Sequence, residues 1–543
     1  YNIGSVLSGG DSAPESNDVH GWASAVREYA QAALQTRLKI PLIYGADCVH
    51  GHNNCRGAVV FPHNIGLGAT RDALLVERIG KITAREMLAC NIHWNFAPCI
   101  AVPQDLRWGR TYEGFGSDPG LVGQLGAAYV RGLQSEPVAA CAKHFVGDGG
   151  AEWGTRRRLS WVDFWEQSGG SWAIDQGDVN LDETSFRALH LAPYYAALDA
   201  GALTAMASFN SWRGLKLHAH RYLLTDVLKG EMGFQGMVVS DWMGIHQLSP
   251  DIYTCVVHGV NAGLDMIMGS PDVKELYATL MTAVERGDIL QTRVNDAVRR
   301  ILFVKRRLGL FEQPLTDDSL MSEVGSAEHR AVGREAVRKS LVLLKNENAA
   351  LPLGRESGSI FVAGLAADDI GLQCGGWTIT WQGSSGDTVK GETLLAALRQ
   401  TLPDASIDYA VNGNFAGGRA DVGVVVIAEQ PYAEGVGDRD SLALAAADIE
   451  LIQRVRPQVD RLVLVIYSGR PLLLDAVAAQ CDAIVAAWLP GSDGLGMTDV
   501  LCGGYPFTGR LPHAWIASMD QLPAAALSRN GAAPSYPYGF GLT

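Results

Sequence analysis

The sequence predicts an α/β protein with two domains. Its 543 residues are more than one hydrophobic core comfortably holds, and typical domain sizes indicate two or more domains. Short apolar runs alternate with longer amphipathic segments in both halves, which favours parallel sheets flanked by helices. A polar segment that holds Pro314 and Thr316 separates the halves. We therefore predict domains at residues 1–310 and 333–543, joined by a linker at residues 311–332.

The first domain is predicted to consist of βαβ units. Amphipathic segments, at residues 74–89 and 191–200 for example, lie between apolar runs that end in polar residues or glycine. The runs are KIPLIYGAD, IHWNFAP, VAACAKHF, LTAMASF, GMVVSD and GLDMIMG. A last helix is predicted around residues 294–302, where apolar residues keep a helical spacing, and Gly309 is placed to end it.

The string MVVSDW, residues 237–242, is the most informative feature of the chain. Three apolar residues of a predicted buried strand run directly into Ser240, Asp241 and Trp242. A carboxylate at the carboxyl end of such a strand occupies the position where α/β barrels carry their catalytic groups. Asp241 is therefore the first candidate nucleophile. The alternative is structural, because Asp after a strand is also a common helix cap or turn residue.

Other polar residues follow the neighbouring predicted strands. They are Asp47, Arg110, Lys143, His144 and Asn210. Each alone has a structural explanation: Asp47 could cap a helix, Arg110 could pair with Asp118, and Lys143 with His144 could be a satisfied pair. Together they are typical of a barrel active site, because the loops after successive strands converge on the barrel axis.

The second domain is predicted to be an open parallel sheet flanked by helices. Its strand runs are SIFVAGL, DVGVVVIAE, RLVLVIYSG and DAIVAAWLPG, with helical segments at residues 392–402 and 448–455. Ligands of such sheets bind at the carboxyl ends of the strands. Neither GxGxxG between a strand and a helix nor GxxxxGK[ST] occurs, so a nucleotide has weak support.

Two segments of the second domain favour a carbohydrate ligand. GGWTITWQG places Trp377 and Trp381 between glycines, and AEQPYAEGVGDRD follows a buried strand. The acidic residues of that second segment are Glu429, Glu434, Asp438 and Asp440. Aromatic faces stack on the C–H faces of sugars, and carboxylates bind hydroxyls or act as acids. The alternatives are that the tryptophans form interdomain core and that the acidic loop is a solvated surface.

Composition excludes several classes of partner. The net charge is −14, and no basic block is longer than three residues such as Arg156–Arg158, so nucleic acid and anionic membrane surfaces are poor partners. No stretch approaches the roughly 18 apolar residues of a membrane helix. The chain starts at Tyr1 without a leader, so a signal peptide has been removed or lies upstream, and we predict a periplasmic or secreted protein.

Cysteine usage predicts neither a disulfide scaffold nor a metal site. Nine cysteines are an odd number at low density; Cys90 with Cys99, or Cys48 with Cys55, could form one local bridge, but buried free thiols are favoured. CxxC and HExxH spacings are missing from the sequence, so we predict no metal and no cofactor.

The motifs together resemble one family over nearly the whole chain. They are YGADCVHGHNN, FPHNIGLGATRD, DLRWGRTYEGFGSDP, AKHFVGDGG, MASFNSW, VVSDW, CGGWTITWQG, PYAEGVGD, FTGRLP and YPYGFGLT. They are similar to glycoside hydrolase family 3, in its group of exo-acting β-glucosidases and exo-1,3/1,4-β-glucanases. The resemblance implies a TIM-like (β/α)8 barrel followed by an α/β sandwich domain with a mostly parallel sheet, and an active site in the cleft between them.

The resemblance also assigns roles to residues. Asp241 matches the nucleophile and Glu434 the general acid/base, while Glu429, also at a strand end, is a rival acid that the family register disfavours. Residues that match hydroxyl ligands of the terminal sugar are Asp47, Arg110, Lys143 and His144. Trp242 and Trp381 match the aromatic pair that sandwiches the next sugar, with Met206 and Phe209 lining the pocket. We expect Lys143 and Arg110 to keep Asp241 ionised and desolvation to keep Glu434 protonated.

The implied activity is that of a retaining exo-acting β-glucosidase acting on β-glucosides and short β-glucans. A β-xylosidase or broad β-glycosidase is the nearest alternative; an inactive sugar-binding protein and a nucleotide- or phosphate-using transferase are alternatives of other classes. The N-acetylglucosaminidase branch is disfavoured, because the loop after KHF reads VGDGG and lacks its histidine.

Three places depart from the family pattern. Residues 152–172 form a longer segment than the corresponding loop of the family and contain Trp153, Trp161, Trp165 and Trp172. This tryptophan-rich segment is interpreted as a lid, a subsite wall or a dimer contact, with ordinary packing as the alternative; we predict a homodimer in which it helps close the partner's cleft. Gln247 replaces an arginine of plant members, and Asp178 only roughly fits a family carboxylate.

Overall fold

The computed structural model describes residues 3–162, 164–269, 273–354, 358–523 and 533–543. Within these residues, the first domain contains nine short strands. They are β1 (Ser5–Ser8), β2 (Ile43–Ala46), β3 (Trp94–Asn95), β4 (Cys141–Phe145), β5 (Asp178–Val179), β6 (Thr204–Ala207), β7 (Ser211–Trp212), β8 (Leu215–Lys216) and β9 (Met237–Val239). Strands β5, β7 and β8 form a separate small sheet.

The other six strands form a barrel-type parallel arrangement. β1, β2 and β3 make one parallel sheet, and β4, β6 and β9 make a second. Bridges from Trp94 to Ala139 and from Cys99 to Lys143 connect β3 to the β4 side, and a parallel bridge from Val239 to Met266 continues beyond β9. The run GLDMIMG, predicted as a strand, contributes only this bridge within the described residues. β1 is not among the predicted strands because SVLS is short, half polar and only half buried.

Helices surround these strands, as the alternating pattern predicts. They are α1 (Val19–Leu34), α2 (Asn64–Thr70), α3 (Ala73–Ala89), α4 (Pro119–Gln134), α5 (Phe164–Gln167), α6 (Glu183–Phe186), α7 (Ala192–Asp199), α8 (Ile252–Ala262), α9 (Val273–Glu285) and α10 (Gln291–Arg307). Asp72 caps α3 by accepting the Leu75 N–H, and Gly309 follows α10 with a positive φ of 69°. Two π-helical stretches, Arg187–Leu191 and Tyr222–Glu231, complete this domain.

The second domain is built on a six-stranded sheet. Its strands are β10 (Val342–Asn346), β11 (Ser359–Ala363), β12 (Ser406–Ala410), β13 (Ala420–Ala428), β14 (Val459–Tyr467) and β15 (Ala483–Trp488). The order is β10-β15-β14-β13-β11-β12, with all pairs parallel except β10 with β15. β12 is absent from the predicted runs because SIDYA is partly exposed at the sheet edge.

Both faces of this sheet are covered. Val424 and Val426 of β13 pack into one hydrophobic cluster, whereas Val425 and Ile427 pack into another. Successive side chains of a strand point to opposite faces, so the sheet lies between two cores, as predicted for an α/β sandwich. The flanking helices are α11 (Ala327–Ser340), α12 (Ile370–Cys374), α13 (Leu394–Thr401), α14 (Ala446–Val455) and α15 (Leu495–Leu501).

The segment predicted as a linker contains ordered structure. A 3₁₀ turn covers Asp318–Glu323, and α11 begins at Ala327, inside residues 311–332. The polarity of this stretch reflects helix capping, since Ser326 accepts the N–H of His329. Helix α11 packs against α2 and α3 of the first domain and α15 of the second.

All nine cysteines lie in the described part of the chain and are free thiols. Neither of the two local bridges considered from the sequence is therefore formed. Among the described helices, none combines the length and apolar character that a membrane crossing requires.

Candidate active site

One cavity of about 400 Å³ lies where the loops after the barrel strands meet the second domain. All ten site residues predicted from the sequence line it: Asp47, Arg110, Lys143, His144, Met206, Phe209, Asp241, Trp242, Trp381 and Glu434. The structure adds Phe164, Trp165, Met268, Trp377, Leu7 and residues 9–12. The volume is near the lower end of the range of about 300 to 1,000 Å³ for small-molecule sites.

Asp241 lies two residues after the carboxyl end of β9, and it lines the cavity. Its Oδ1 accepts the Trp242 N–H at 2.7 Å, and its backbone N–H donates to His218 Nε2 at 3.0 Å. Its Oδ2 is buried without a hydrogen-bond partner and lies 3.6 Å from His144 Nε2. One oxygen is therefore held in place, and the other is left for a bound molecule.

The electrostatic surroundings of Asp241 differ from the expectation. His144, Arg110 and Lys143 each lower its pKa, as expected for the last two, but burial outweighs them and the pKa is raised above 3.8. A carboxyl group taken from water into a closed cavity loses solvation that neighbouring cations only partly replace.

Glu434 projects into the same cavity from the loop after β13. It begins a short 3₁₀ turn, Glu434–Gly437, and has a positive φ of 55°. Its Oε1 lies 3.5 Å from Arg110 Nη1. Burial raises the pKa of Glu434 well above 4.5; Arg110 opposes this rise, and Asp175, Asp241 and Glu113 add to it. Burial therefore raises the pKa of both carboxyls: that of Glu434 well above its usual value, as expected, and that of Asp241 in spite of its cationic neighbours.

Arg110 connects the two carboxyl groups. Its guanidinium makes a bidentate pair with Glu113, at 2.9 Å for both bonds, and a 3.2 Å contact from Nη2 to His144 Nε2. The structural alternative of an Arg110–Asp118 pair is wrong, because Asp118 instead caps α4. A chain of contacts thus runs from Glu434 through Arg110 and His144 to Asp241.

Lys143 and His144 form separate pairs rather than one pair together. Lys143 Nζ lies 3.0 Å from Asp47 Oδ1, and His144 Nδ1 lies 2.5 Å from Asp148 Oδ2. Asp148 in turn accepts the Ser208 hydroxyl at 2.6 Å. Asp47 is the least buried of these groups, with 20% of its side chain exposed, so it remains able to accept from a sugar hydroxyl.

Three buried carboxylates near the site are missing from the sequence prediction. Glu113 orients Arg110, Asp148 orients His144, and Asp175 is bonded to the Trp108 indole at 2.8 Å. Glu113 and Asp148 stand three and four residues after the groups they contact, and this spacing could have indicated them. Asp175 comes from a loop whose position only the folded chain reveals.

Several other candidates lie outside the cavity. Asn210 is bonded to Ser208 and to backbone carbonyls, and Asp178 accepts the Gly214 N–H. Gln247 donates to Gln176 at 2.8 Å. Glu429, the rival acid, is paired with Arg439 at 3.2 Å and Arg470 at 3.3 Å and does not line the cavity.

Aromatic side chains form much of the cavity wall. Trp381 stacks on Phe164 with ring centroids 6.0 Å apart and planes 21° apart, and Trp165 meets Phe209 edge-on at 5.2 Å. Trp377 is buried and donates its indole N–H to Glu113 at 3.1 Å. Trp377 therefore lines the cavity and also packs between the two domains, so both interpretations made from the sequence apply to it.

The tryptophan-rich segment folds over the cavity of its own chain. Phe164 and Trp165 line that cavity, and the Trp172 N–H donates to Gly435 O at 3.1 Å. The segment therefore helps to close the cavity of its own chain, and its predicted role at a partner's cleft stays a prediction. The homodimer itself stays a prediction.

Among the described residues, one group of side chains could hold a metal ion. The ligand atoms of His52, Cys55 and Cys90 lie within 4.8 Å of one another. All three are buried and none lines the cavity. Burial lowers the pKa of His52 to about 3 and raises that of Cys90 well above 9.0, which favours neutral side chains.

A barrel-type domain and a parallel-sheet domain that enclose two carboxyl groups with aromatic walls define a two-domain carbohydrate-cleaving enzyme. Residues 1–304 match the family model described as the glycosyl hydrolase family 3 N-terminal domain, and residues 341–543 match that of its C-terminal domain. The chain belongs to glycosyl hydrolase family 3 and is a β-glucosidase-like glycoside hydrolase.

Relatives and solved structures agree with this membership. A lysosomal β-glucosidase of Dictyostelium discoideum is 30% identical over all of this chain and 70% of its own length. A periplasmic β-glucosidase of Salmonella typhimurium is 29% identical over 94% of this chain and 72% of its own.

The solved exo-1,3/1,4-β-glucanase of a Pseudoalteromonas species is 38% identical with a TM-score of 0.91, over all of this chain and 69% of that one. A β-glucosidase of Listeria innocua in complex with glucose is 26% identical with a TM-score of 0.84, over 100% and 76% of the two chains. A mutant of a β-glucosidase from the same organism is in complex with laminaribiose.

Proposed function

We propose that the chain is a retaining, exo-acting β-glucosidase that releases β-D-glucose from non-reducing ends of β-glucosides and short β-glucans. The observation that carries this proposal is the pair Asp241 and Glu434, which reach one small cavity from different domains and are linked through Arg110 and His144. Retaining glycosidases use two carboxyl groups about 5 to 5.5 Å apart, one as nucleophile and one as proton donor.

The proposed reaction is a double displacement. Asp241 Oδ2 attacks the anomeric carbon while Glu434 donates its proton to the glycosidic oxygen, so that the aglycone leaves as an alcohol. Glu434, now a carboxylate, then takes a proton from water. The water oxygen attacks the anomeric carbon, the bond to Asp241 breaks, and β-glucose is released.

The raised pKa of Glu434 supports its role as proton donor, and the cationic neighbours of Asp241 support its role as nucleophile. Glu434 must hold its proton, and burial among acidic groups raises its pKa well above 4.5. Asp241 must be ionised, and His144, Arg110 and Lys143 limit the rise that burial causes in its pKa. Two carboxyls whose environments separate their pKa values divide into acid and nucleophile.

The polar residues of the cavity support a glucosyl unit. Lys143, Asp47, Arg110 and His144 offer donors and an acceptor around the position of a terminal ring. Trp242 and Trp381, with Met206 and Phe209, supply apolar surface for the ring faces and for the next sugar. Comparison of aryl β-glucoside with aryl β-xyloside tests this assignment, because xylose lacks the hydroxymethyl group; a higher kcat/KM for the xyloside would favour a β-xylosidase.

The first test is a proton NMR time course with an aryl β-glucoside. Wild type should produce β-glucose before mutarotation, and Asp241→Asn should lower kcat by a factor on the order of 10⁴ or more, because the nucleophile is lost. Asp199→Asn, an exposed residue of α7, should leave kcat unchanged. Early α-glucose would overturn the retaining mechanism, and no turnover by wild type would favour a sugar-binding protein.

We also propose a periplasmic or secreted location. The proposal is supported by two relatives, a periplasmic β-glucosidase and a lysosomal β-glucosidase, since both compartments lie outside the cytosol. Fractionation of source cells tests it, and activity confined to the cytosolic fraction would contradict it.

A further inference from the structure

Asp438 joins the loop that carries Glu434 to two loops of the first domain. Its Oδ1 accepts the N–H of Gly109 at 2.8 Å, and its Oδ2 accepts the N–H groups of Ile174 and Asp175 at 2.9 and 2.8 Å. Gly109 directly precedes Arg110, and Ile174 follows the tryptophan-rich segment. A single buried carboxyl therefore spans the domain boundary four residues from Glu434.

The backbone at Glu434 and Gly435 is packed closely against the first domain. A Cβ added to Gly109 would lie 1.9 Å from Glu434 O, and one added to Gly435 would lie 2.2 Å from the Trp172 ring. Trp172 also donates its backbone N–H to Gly435 O. The loop thus touches the first domain at van der Waals distance, and any rotation of the loop would break these contacts.

Glu434 itself depends on its surroundings for its position. Its φ of 55° is uncommon for a residue with a side chain and persists only where neighbouring structure imposes it. Its carboxyl contact with Arg110, at 3.5 Å, is longer than a normal charge-assisted hydrogen bond. The side chain is therefore aimed mainly by the backbone of its loop.

We infer that Asp438 is a positioning residue for proton transfer: it seats the loop so that Glu434 reaches the glycosidic oxygen. The inference rests on the proposed role of Glu434 as general acid/base. Asp438 lies outside the cavity that would hold the sugar and acts through Glu434. An asparagine at this position has one accepting oxygen and an amide that cannot accept, so at least one of the three N–H groups would lose its partner.

The test compares two substrates of Asp438→Asn that differ in their need for an acid. The dinitrophenolate of a 2,4-dinitrophenyl β-glucoside leaves without protonation. The phenolate of a phenyl β-glucoside must be protonated as it leaves. We expect kcat/KM for the phenyl glucoside to fall on the order of 10²-fold and that for the dinitrophenyl glucoside by less than about threefold. Asp440→Asn, an exposed residue of the same loop, should change neither value.

A second variant keeps the test decisive if Asp438→Asn does not fold. Ser171→Ala removes the hydroxyl that donates to Asp438 O at 2.9 Å and leaves the carboxyl intact. It should show a smaller loss with the same bias toward the phenyl glucoside. An equal loss on both substrates, or no loss on either, in the variant that folds would overturn the inference.

Failure of the underlying assignment gives a different result. Glu434→Ala with the dinitrophenyl glucoside and azide should form β-glucosyl azide, because azide attacks the anomeric carbon as its bond to Asp241 breaks. Lack of this product would reject Glu434 as acid/base, whatever Asp438→Asn shows.

Discussion

Glu434 illustrates at the residue scale how burial in the folded protein keeps a carboxyl group protonated. Its carboxyl is buried; Asp175, Asp241 and Glu113 add to the rise in its pKa, and Arg110 opposes that rise. Arg110 is already engaged by Glu113 through two bonds. The ionised form of Glu434 is therefore disfavoured by folding, which suits a proton donor.

This burial predicts a pH-dependent effect on stability. The folded-state pKa of Glu434 is raised above its unfolded value near 4.5, so the stability linked to this group is fully present below pH 4.5 and is lost as pH rises toward the folded pKa. Glutamine cannot ionise and avoids this loss. Glu434→Gln should therefore be more stable than wild type at pH 8, by on the order of 1 kcal/mol, with a smaller difference at pH 4.5.

Denaturant unfolding of both proteins at the two pH values measures this effect. Glu429→Gln is the matched control, because Glu429 is paired with Arg439 and Arg470, and its replacement should destabilise the protein at both pH values. A stability difference for Glu434→Gln that shrinks as pH rises would contradict the prediction.

At the scale of elements, the tryptophan-rich segment acts as one wall of the cavity. Trp165 is buried, with 2% of its surface exposed, and packs edge-on against Phe209, while Phe164 stacks on Trp381. These contacts place the segment beside the aromatic residues assigned to the second sugar. Its contribution should appear in substrate binding more than in the chemical steps.

Replacement of Trp165 by alanine tests this role. We expect KM for a short β-glucan to rise roughly three- to tenfold, since an aromatic contact is worth about 0.5 to 1.5 kcal/mol beyond buried area, while kcat changes little. Trp161→Ala is the control, because Trp161 is 44% exposed and lies outside the cavity. Equal KM values for the two variants would show that Trp165 serves packing alone.

The elements that sequence patterns predicted correctly are those with continuous apolar runs. β13, β14 and β15 are buried on both faces and read as uninterrupted hydrophobic strings. β12 is a partly exposed edge strand and gives no such string. Residues directly after strands, such as Asp241, could be placed in the cavity, whereas Asp175 could not, because its loop reaches the site only through tertiary packing.

At the scale of the whole molecule, Arg470 links the two domains. It is fully buried at the carboxyl end of β14 and donates to Gly437 O at 2.6 Å and to Leu106 O and Arg107 O at 3.2 and 3.0 Å. Glu429 balances its charge. One side chain of the second domain thus satisfies carbonyl groups of the barrel loop that leads to Arg110.

Loss of Arg470 should weaken the coupling between the domains. Arg470→Met leaves several carbonyls and Glu429 without their partner. We expect it to lower the free energy of unfolding by about 3 to 5 kcal/mol. We also expect the two domains to unfold in separate thermal transitions in calorimetry. Arg461→Met, which removes only a surface bond to Ala349 O, should keep the wild-type transition. A wild-type calorimetric profile for Arg470→Met would contradict the proposed coupling.

The predicted homodimer is best tested by mass in solution. Because the tryptophan-rich segment covers the cavity of its own chain, deletion of residues 152–171 should change the kinetics even of a monomer. Kinetic change alone therefore carries no information about assembly. An unchanged mass of the deleted chain, compared with that of the full chain, would remove the segment from any dimer contact.

The placement of Asp241 and Glu434 on separate domains makes the connecting peptide a tether. Because this peptide joins the domains covalently, it sets the effective concentration of one carboxyl in the neighbourhood of the other, as in any linked pair of binding modules. A protease cut in that peptide would convert a unimolecular catalyst into a two-component one. Turnover by the nicked enzyme would then fall on dilution and return on concentration, so hydrolysis would report the association of the two fragments.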